Sequence, residues 1–174
     1  TRAAPAVDFS AALADARDLA GVRISALAAD QFPDFIDADV VRARDEAIAV
    51  LRACGAVVEE LRAPINFADV AARLGRMLAT TAYTVHRAYI EDPAVPLDPW
   101  VRKRALGGKG VSAADYLDEL AAMRSAQAAF AAWMRGRDAL LTPTVPITAT
   151  PLADVDEATA PLAAFTRAGN YLGA

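Results

Sequence analysis

The chain has 174 residues, enough for one domain with a substantial core, and 55 % of them are hydrophobic with alanine prominent, which favours a helix-rich folded protein over a disordered one. A net charge of −4, with no basic cluster larger than Arg102-Lys103-Arg104, leaves no electrostatic case for direct nucleic-acid binding. No apolar run reaches the roughly 20 residues that span a bilayer, no basic-then-apolar leader is present, and the single cysteine, Cys54, excludes an internal disulfide, so no membrane association and a cytoplasmic location are expected.

Residues 1–7 are small and linker-like, and Phe9, Leu13 and Ala16 space a short helix from Phe9 to Leu19 that Gly21 ends. Val22 to Leu27 is alternating and β-branched, which predicts a strand with one buried face. After a loop through Phe32-Pro33-Asp34, a helix is predicted from Asp39 to Cys54, with Val40, Val41, Ile48 and Leu51 inward and Gly55 as its cap. Ala56 to Leu61 is a second strand. Strand, helix, glycine and strand make a βαβ unit, hence parallel strands with a right-handed crossover.

Asn66 suits the N-cap of a helix from Phe67 to about Tyr89, with Val70, Leu74, Met77 and Leu78 on its core side. Residues 91–111 are expected to be a loop-rich connection, with Pro93, Pro96, Pro99 and three glycines. Gly107-Gly108-Lys109-Gly110 lacks the phosphate-loop spacing and a preceding strand, so it reads as a turn before the next helix. That helix is the most strongly patterned element. It opens at Ser112 with Asp115 three residues on, and carries Tyr116, Leu120, Met123, Phe130 and Met134 on one face, broken only at Gln127. Gly136 is its expected cap, beside Arg135 and Arg137. Asp138 to Leu141 then forms a short strand that must leave the sheet at Thr142, because Pro143 and Pro146 cannot continue it. Strand ends of this kind line ligand crevices in α/β proteins. Residues 147–160 are an irregular loop, and a last short helix is expected between Pro161 and Tyr171.

Few residues point to chemistry on their own. His86 is the only histidine, so sites built on several imidazoles are excluded. Cys54 at a helix end reads as a small buried hydrophobe rather than a nucleophile. Asp154, Asp156 and Glu157 read as a solvated turn rather than a metal site, lacking the glycine-defined spacing of a calcium loop. Tyr83 and His86, three apart, share a helical face and suit either a pocket wall or a hydrogen-bonded pair at the core edge.

Five stretches, in order, resemble the amidase signature family downstream of its Gly/Ser-rich signature block. They are Asp18-Leu19-Ala20-Gly21-Val22-Arg23-Ile24; Val40 to Glu60; Ala82-Tyr83-Thr84-Val85-His86; Asp138-Ala139-Leu140-Leu141-Thr142-Pro143-Thr144-Val145-Pro146; and Phe165 to Gly173. The resemblance implies part of an amidase-type α/β fold, a mixed sheet with parallel βαβ units covered by helices. It also implies cleavage of a small-molecule carboxamide through a Ser–cis-Ser–Lys triad, with no cofactor and no metal. The family's catalytic lysine and Gly-Gly-Ser-Ser-Gly-Gly block match nothing here, since Ser10, Ser25, Ser112 and Ser125 lack a Gly-rich context. Residues 1–174 are therefore expected to be one fragment of a larger domain, with the catalytic block upstream and the end of the domain downstream, inactive alone.

By the same resemblance Tyr83, His86, Arg104, Thr142, Thr144 and Asn170 are the expected substrate-binding residues, with no catalytic residue in the chain. Arg104 matches a carboxylate-binding arginine of the amidase-like component of aminoacyl-tRNA amidotransferases, which keeps that activity open beside a stand-alone amidase. A non-catalytic α/β interaction domain is the third reading. A fragment cut through a sheet would expose apolar edges, which predicts self-association, for example as a homodimer.

Overall fold

The computed structural model describes residues 18–156 and 160–173; Ser10, Glu157 and nearly all of the helix expected from Phe9 lie outside them. Three parallel strands, β1 (Arg23–Leu27), β2 (Val57–Leu61) and β3 (Ala139–Leu141), form a sheet in the order β2-β1-β3. Arg23 pairs with Val57 and Leu27 with Leu61, while Ile24 and Ala26 pair with Ala139 and Leu141.

β1 lies between the other two, and because helices pack on both sides of the sheet it is buried on both faces, not on one as its alternation suggested. Ile24 and Ala26 face a cluster with Ile48, Ala56 and Val58. Leu27 faces the larger cluster built on Phe67, Leu74, Phe130, Phe165 and Tyr171. The strand's period of two deals successive side chains to two separate cores, and Ser25 is only 1 % exposed among them.

Helix α1 (Ala38–Ala53) makes the crossover from β1 to β2, with Ile48 and Arg44 buried and Val40, Val41 and Leu51 half-buried. Arg44 ties the helix to the strand ends, donating to the Leu27 carbonyl (2.9 Å) and to Glu60 (2.9 Å) and Asp45 (2.7 Å). Gly55 then turns the chain at φ +96°, where a side chain would also crowd the Ala20 backbone nitrogen at 3.2 Å.

Asn66 caps α2 (Phe67–Ile90) as expected, accepting from the Asp69 N–H at 3.1 Å. Phe67, Val70, Leu74 and Met77 form its buried stripe, but Leu78 is 56 % exposed. At 3.6 residues per turn Leu78 lies about 60° around from the middle of that stripe, beyond its edge. The connection after α2 holds a further helix, α3 (Pro99–Leu106), where a loop was expected. Asp98 caps it by accepting from the Trp100 and Val101 N–H groups, both at 2.9 Å, and Pro99 sits in its first turn. The 107–110 turn follows, and buried Gly108 rests against the Ala79 backbone of α2.

Helix α4 (Ala113–Trp133) opens on a reciprocal cap: Ser112 Oγ accepts from the Asp115 N–H (3.1 Å), and the Asp115 carboxylate accepts from the Ser112 N–H (3.3 Å). Its predicted face packs on the larger core, and Gly136 turns the chain beyond it at φ +75°. Gln127, the break in that face, donates to the Tyr171 carbonyl at 3.0 Å, at the end of α5 (Thr166–Leu172). Helix α5 begins later than expected, after a turn through 162–165. Among the described residues, no helix is long and apolar enough to cross a membrane.

Candidate functional site

All three strands point their carboxyl ends the same way, so the loops 28–37, 62–66 and 142–150 gather at one edge of the sheet. The chain passes from β1 to one side and returns with β3 on the other, which opens a crevice between diverging loops. It has two lobes that share Ile65, Phe67 and Phe165. The first, about 590 Å³, lies between the loops after β1 and β2, with Phe32 and Phe35 in its wall and Asp30 and Arg62 paired at its rim. The second, about 440 Å³, lies under the exit from β3 and is lined by Thr142, Pro143, Thr144, Phe130 and Met134. Both volumes fall within the range of small-molecule sites.

Phe165 forms the wall between the lobes. Its ring stands edge-on to Phe32 and Phe67, at 5.8 Å from each. Gln31 links the loops of the first lobe: its amide donates to the carbonyls of Ala63 and Ile65, both at 3.0 Å, and accepts from the Ala63 N–H at 2.7 Å. Asp37 holds the loop of the second. Its carboxylate accepts from the Thr148 N–H (2.8 Å) and hydroxyl (3.0 Å), and its own N–H donates to Pro146 (2.8 Å). The backbone bond from Thr148, with the hydroxyl second, holds the Asp37 carboxyl below its ordinary range. Neither Gln31 nor Asp37 was expected from the sequence. The position of Asp37 just before α1 marks it as a helix cap, yet its side chain makes no cap bond and serves the distant loop instead.

The expected site residues fall into separate places. Thr142 and Thr144 line the second lobe, with the Thr142 hydroxyl donating to the Pro143 carbonyl at 2.7 Å. Asn170 lies exposed on α5, beside the lining residues Thr166 and Gly169. Tyr83 stands sixteen residues beyond Phe67 on α2, about 24 Å further along the axis. Tyr83 and His86 share a helical face but do not bond each other. The Tyr83 hydroxyl donates to Glu91, which also pairs with Lys109 at 2.8 Å, whereas His86 Nδ1 bonds the Tyr89 hydroxyl at 2.7 Å. The bond to Glu91, then burial, raises the Tyr83 phenol. Arg104 is exposed on α3.

Among the described residues, the serines line neither lobe. Ser25 is buried in mid-sheet, Ser112 is bound into its cap, and Ser125 sits on the exposed side of α4. The two lysines stand over the Trp100 ring (Lys103, 5.0 Å) and against Glu91 (Lys109).

The family model described as Amidase matches residues 2–171. The chain belongs to the amidase family. Among solved structures it is similar to an amidase, with 22 % identity, 90 % of this chain and 37 % of that chain covered, and a TM-score of 0.75. It is also similar to the allophanate hydrolase of Kluyveromyces lactis (18 % identity, 90 % and 26 % covered, TM-score 0.71). A third likeness is to a glutamyl-tRNA(Gln) amidotransferase component from Thermotoga maritima (23 % identity, 90 % and 34 % covered, TM-score 0.56). No curated protein matches the chain. The chain thus spans between 26 % and 37 % of the lengths of these structures, and at such identities the likeness is one of fold. The α/β architecture expected from the amidase resemblance is the one observed, a small parallel sheet covered by helices.

Proposed function

We propose that this chain is the pocket-bearing part of an amidase domain that hydrolyses the C–N bond of a small carboxamide in the cytoplasm. The observation that carries the reading is the crevice at the carboxyl ends of β1 and β3, where Thr142-Pro143-Thr144 leaves the sheet. Its apolar walls suit the body of an amide substrate, and the peptide groups and hydroxyls of the Thr142–Thr144 exit suit its polar end. The reaction runs on a serine activated by lysine through a second serine. The serine oxygen attacks the carbonyl, ammonia or an amine leaves with the proton, and water splits the resulting ester to a carboxylate. Those three residues belong to sequence outside 1–174, in keeping with the burial of Ser25, the capping role of Ser112 and the engagement of both lysines with Trp100 and Glu91.

The test is ammonia release from benzamide and acetamide by the complete reading frame and by residues 1–174 alone. Turnover by the complete protein with none above background by the chain is the expected result. Turnover by the chain alone, abolished by a substitution within it, overturns the proposal.

A further inference from the structure

We propose that Gln31 is a positioning residue of the crevice, holding the loops after β1 and β2 at the separation that both lobes require. The ladder between these strands ends at Leu27 and Leu61, with one more bond from the Ala28 N–H to the Leu61 carbonyl at 3.1 Å. Beyond it the chains diverge, and Pro64 has no N–H with which to extend the pairing. Gln31 closes the single 3-10 turn Ala29–Gln31 just after β1 and offers a side-chain amide in place of the missing peptide. A carboxamide has two N–H donors and two acceptor lone pairs. Three of these four are used on one short loop: both donors on Ala63 and Ile65, and an acceptor on the Ala63 N–H.

The residues so held are the ones the site depends on. Ile65 lines both lobes and leads into Asn66, the cap of α2, and then Phe67, which also lines both. Phe32 follows Gln31 directly, and Phe165 stands between Phe32 and Phe67. One side chain therefore sets the gap into which the dividing ring fits. The other tie between these loops, Asp30 to Arg62, joins side chains that are 59 % and 65 % exposed, so solvent and salt screen it. The buried clamp of Arg44 bonds further back, to Leu27 and Glu60, and although its guanidinium lies over the Phe32 ring at 5.6 Å, it makes no bond to the 62–66 loop.

The proposal rests on the carboxamide reading of the crevice only for its effect on ligand affinity. It is tested in the 174-residue chain with Gln31→Met, which keeps the length of the side chain without its hydrogen bonds, and Gln31→Glu, which keeps an acceptor for the Ala63 N–H but loses both donors. Amide hydrogen exchange is followed by NMR, with benzamide as the probe ligand. In Gln31→Met the Ala63 N–H is expected to exchange about 10-fold faster, while the β1–β2 ladder amides keep their rates. In Gln31→Glu the Ala63 rate stays near that of the parent chain. Benzamide affinity falls about 10-fold in both variants, since each releases Ile65. Asp30→Asn leaves the Ala63 and ladder exchange rates unchanged.

An Ala63 rate in Gln31→Met within twofold of the parent chain overturns the proposal. So does a uniform acceleration of the ladder amides, which marks a general loss of stability. Failure of the parent chain to bind benzamide counts against the carboxamide reading, and the exchange rates still decide the role of Gln31.

Discussion

Replacing Gly108 by alanine tests whether the 107–110 turn is a packing element rather than a tether. A Cβ at Gly108 would stand 2.2 Å from the Ala79 carbonyl oxygen, 2.4 Å from its carbon and 2.6 Å from Thr80 Cα. Ordinary contact distance is about 3.5–4.0 Å. All three atoms belong to the α2 backbone in mid-helix, so no rotamer change relieves the clash and the turn must retreat by roughly 1 Å. Overpacking of this kind costs about 1–3 kcal/mol. With unyielding backbone as the neighbour, the upper end, about 3 kcal/mol, is expected, or a fall in Tm of about 6–12 °C for a chain of this size. Gly110 is the matched control: nothing lies within 4 Å of its would-be Cβ, and its φ lies outside the left-handed region. Gly110→Ala should be neutral or stabilising by about 0.4–1 kcal/mol. Urea and thermal unfolding followed by circular dichroism measure both. A Gly108→Ala variant within about 0.5 kcal/mol of the parent chain would refute the close approach of this turn to α2.

Two further perturbations probe the core and the electrostatics. Phe165→Ala removes a ring that is 3 % exposed and merges the two lobes, so it should cost about 3–5 kcal/mol in urea unfolding; a loss below 1 kcal/mol would mean that the ring is not part of the core. Glu119, on α4, meets Arg73 and Arg76 of α2. Burial raises its carboxyl, but the bonds and charges of Arg76 and Arg73 together outweigh this and leave it below its ordinary 4.5. A lowered folded-state value contributes stability above pH 4.5 that is lost as the pH falls through that lowered value. Glu119→Gln should therefore be less stable at pH 7 and flatter on acidification below pH 4.5, as measured by Tm against pH; an unchanged acid limb would remove the ion pair from the account.

The amino-acid sequence alone was enough wherever the controlling interaction is local. The Ser112–Asp115 cap, the spacing of the α4 face, the positive-φ turns at Gly55 and Gly136 and the proline-forced exit at Thr142 each depend on contacts within a few residues. The β1–α1–β2 unit was legible from the order of its elements, and Thr142 and Thr144 line the second lobe because the prolines turn the chain out of the sheet there. Helix α3 was missed because its eight residues carry three cations and no apolar stripe, although Asp98-Pro99 is a helix-start signal.

What only the tertiary structure decided are the pairings across long stretches of chain. Whether β1 has one buried face or two depends on α2, α4 and α5, far along the chain, covering the face opposite α1, and β3 then pairs with its free edge. Gln31, Asp37 and Gln127 have the look of ordinary polar surface residues, yet each bonds backbone 32 to 111 residues away. Tyr83 and His86 share a helical face by spacing, but Glu91 and Tyr89 became their partners. Helical and strand periods decide which way a side chain points, and a polar side chain can be satisfied by any donor or acceptor the fold brings within reach. The partner is therefore set by the packing of the helices and loops around the sheet.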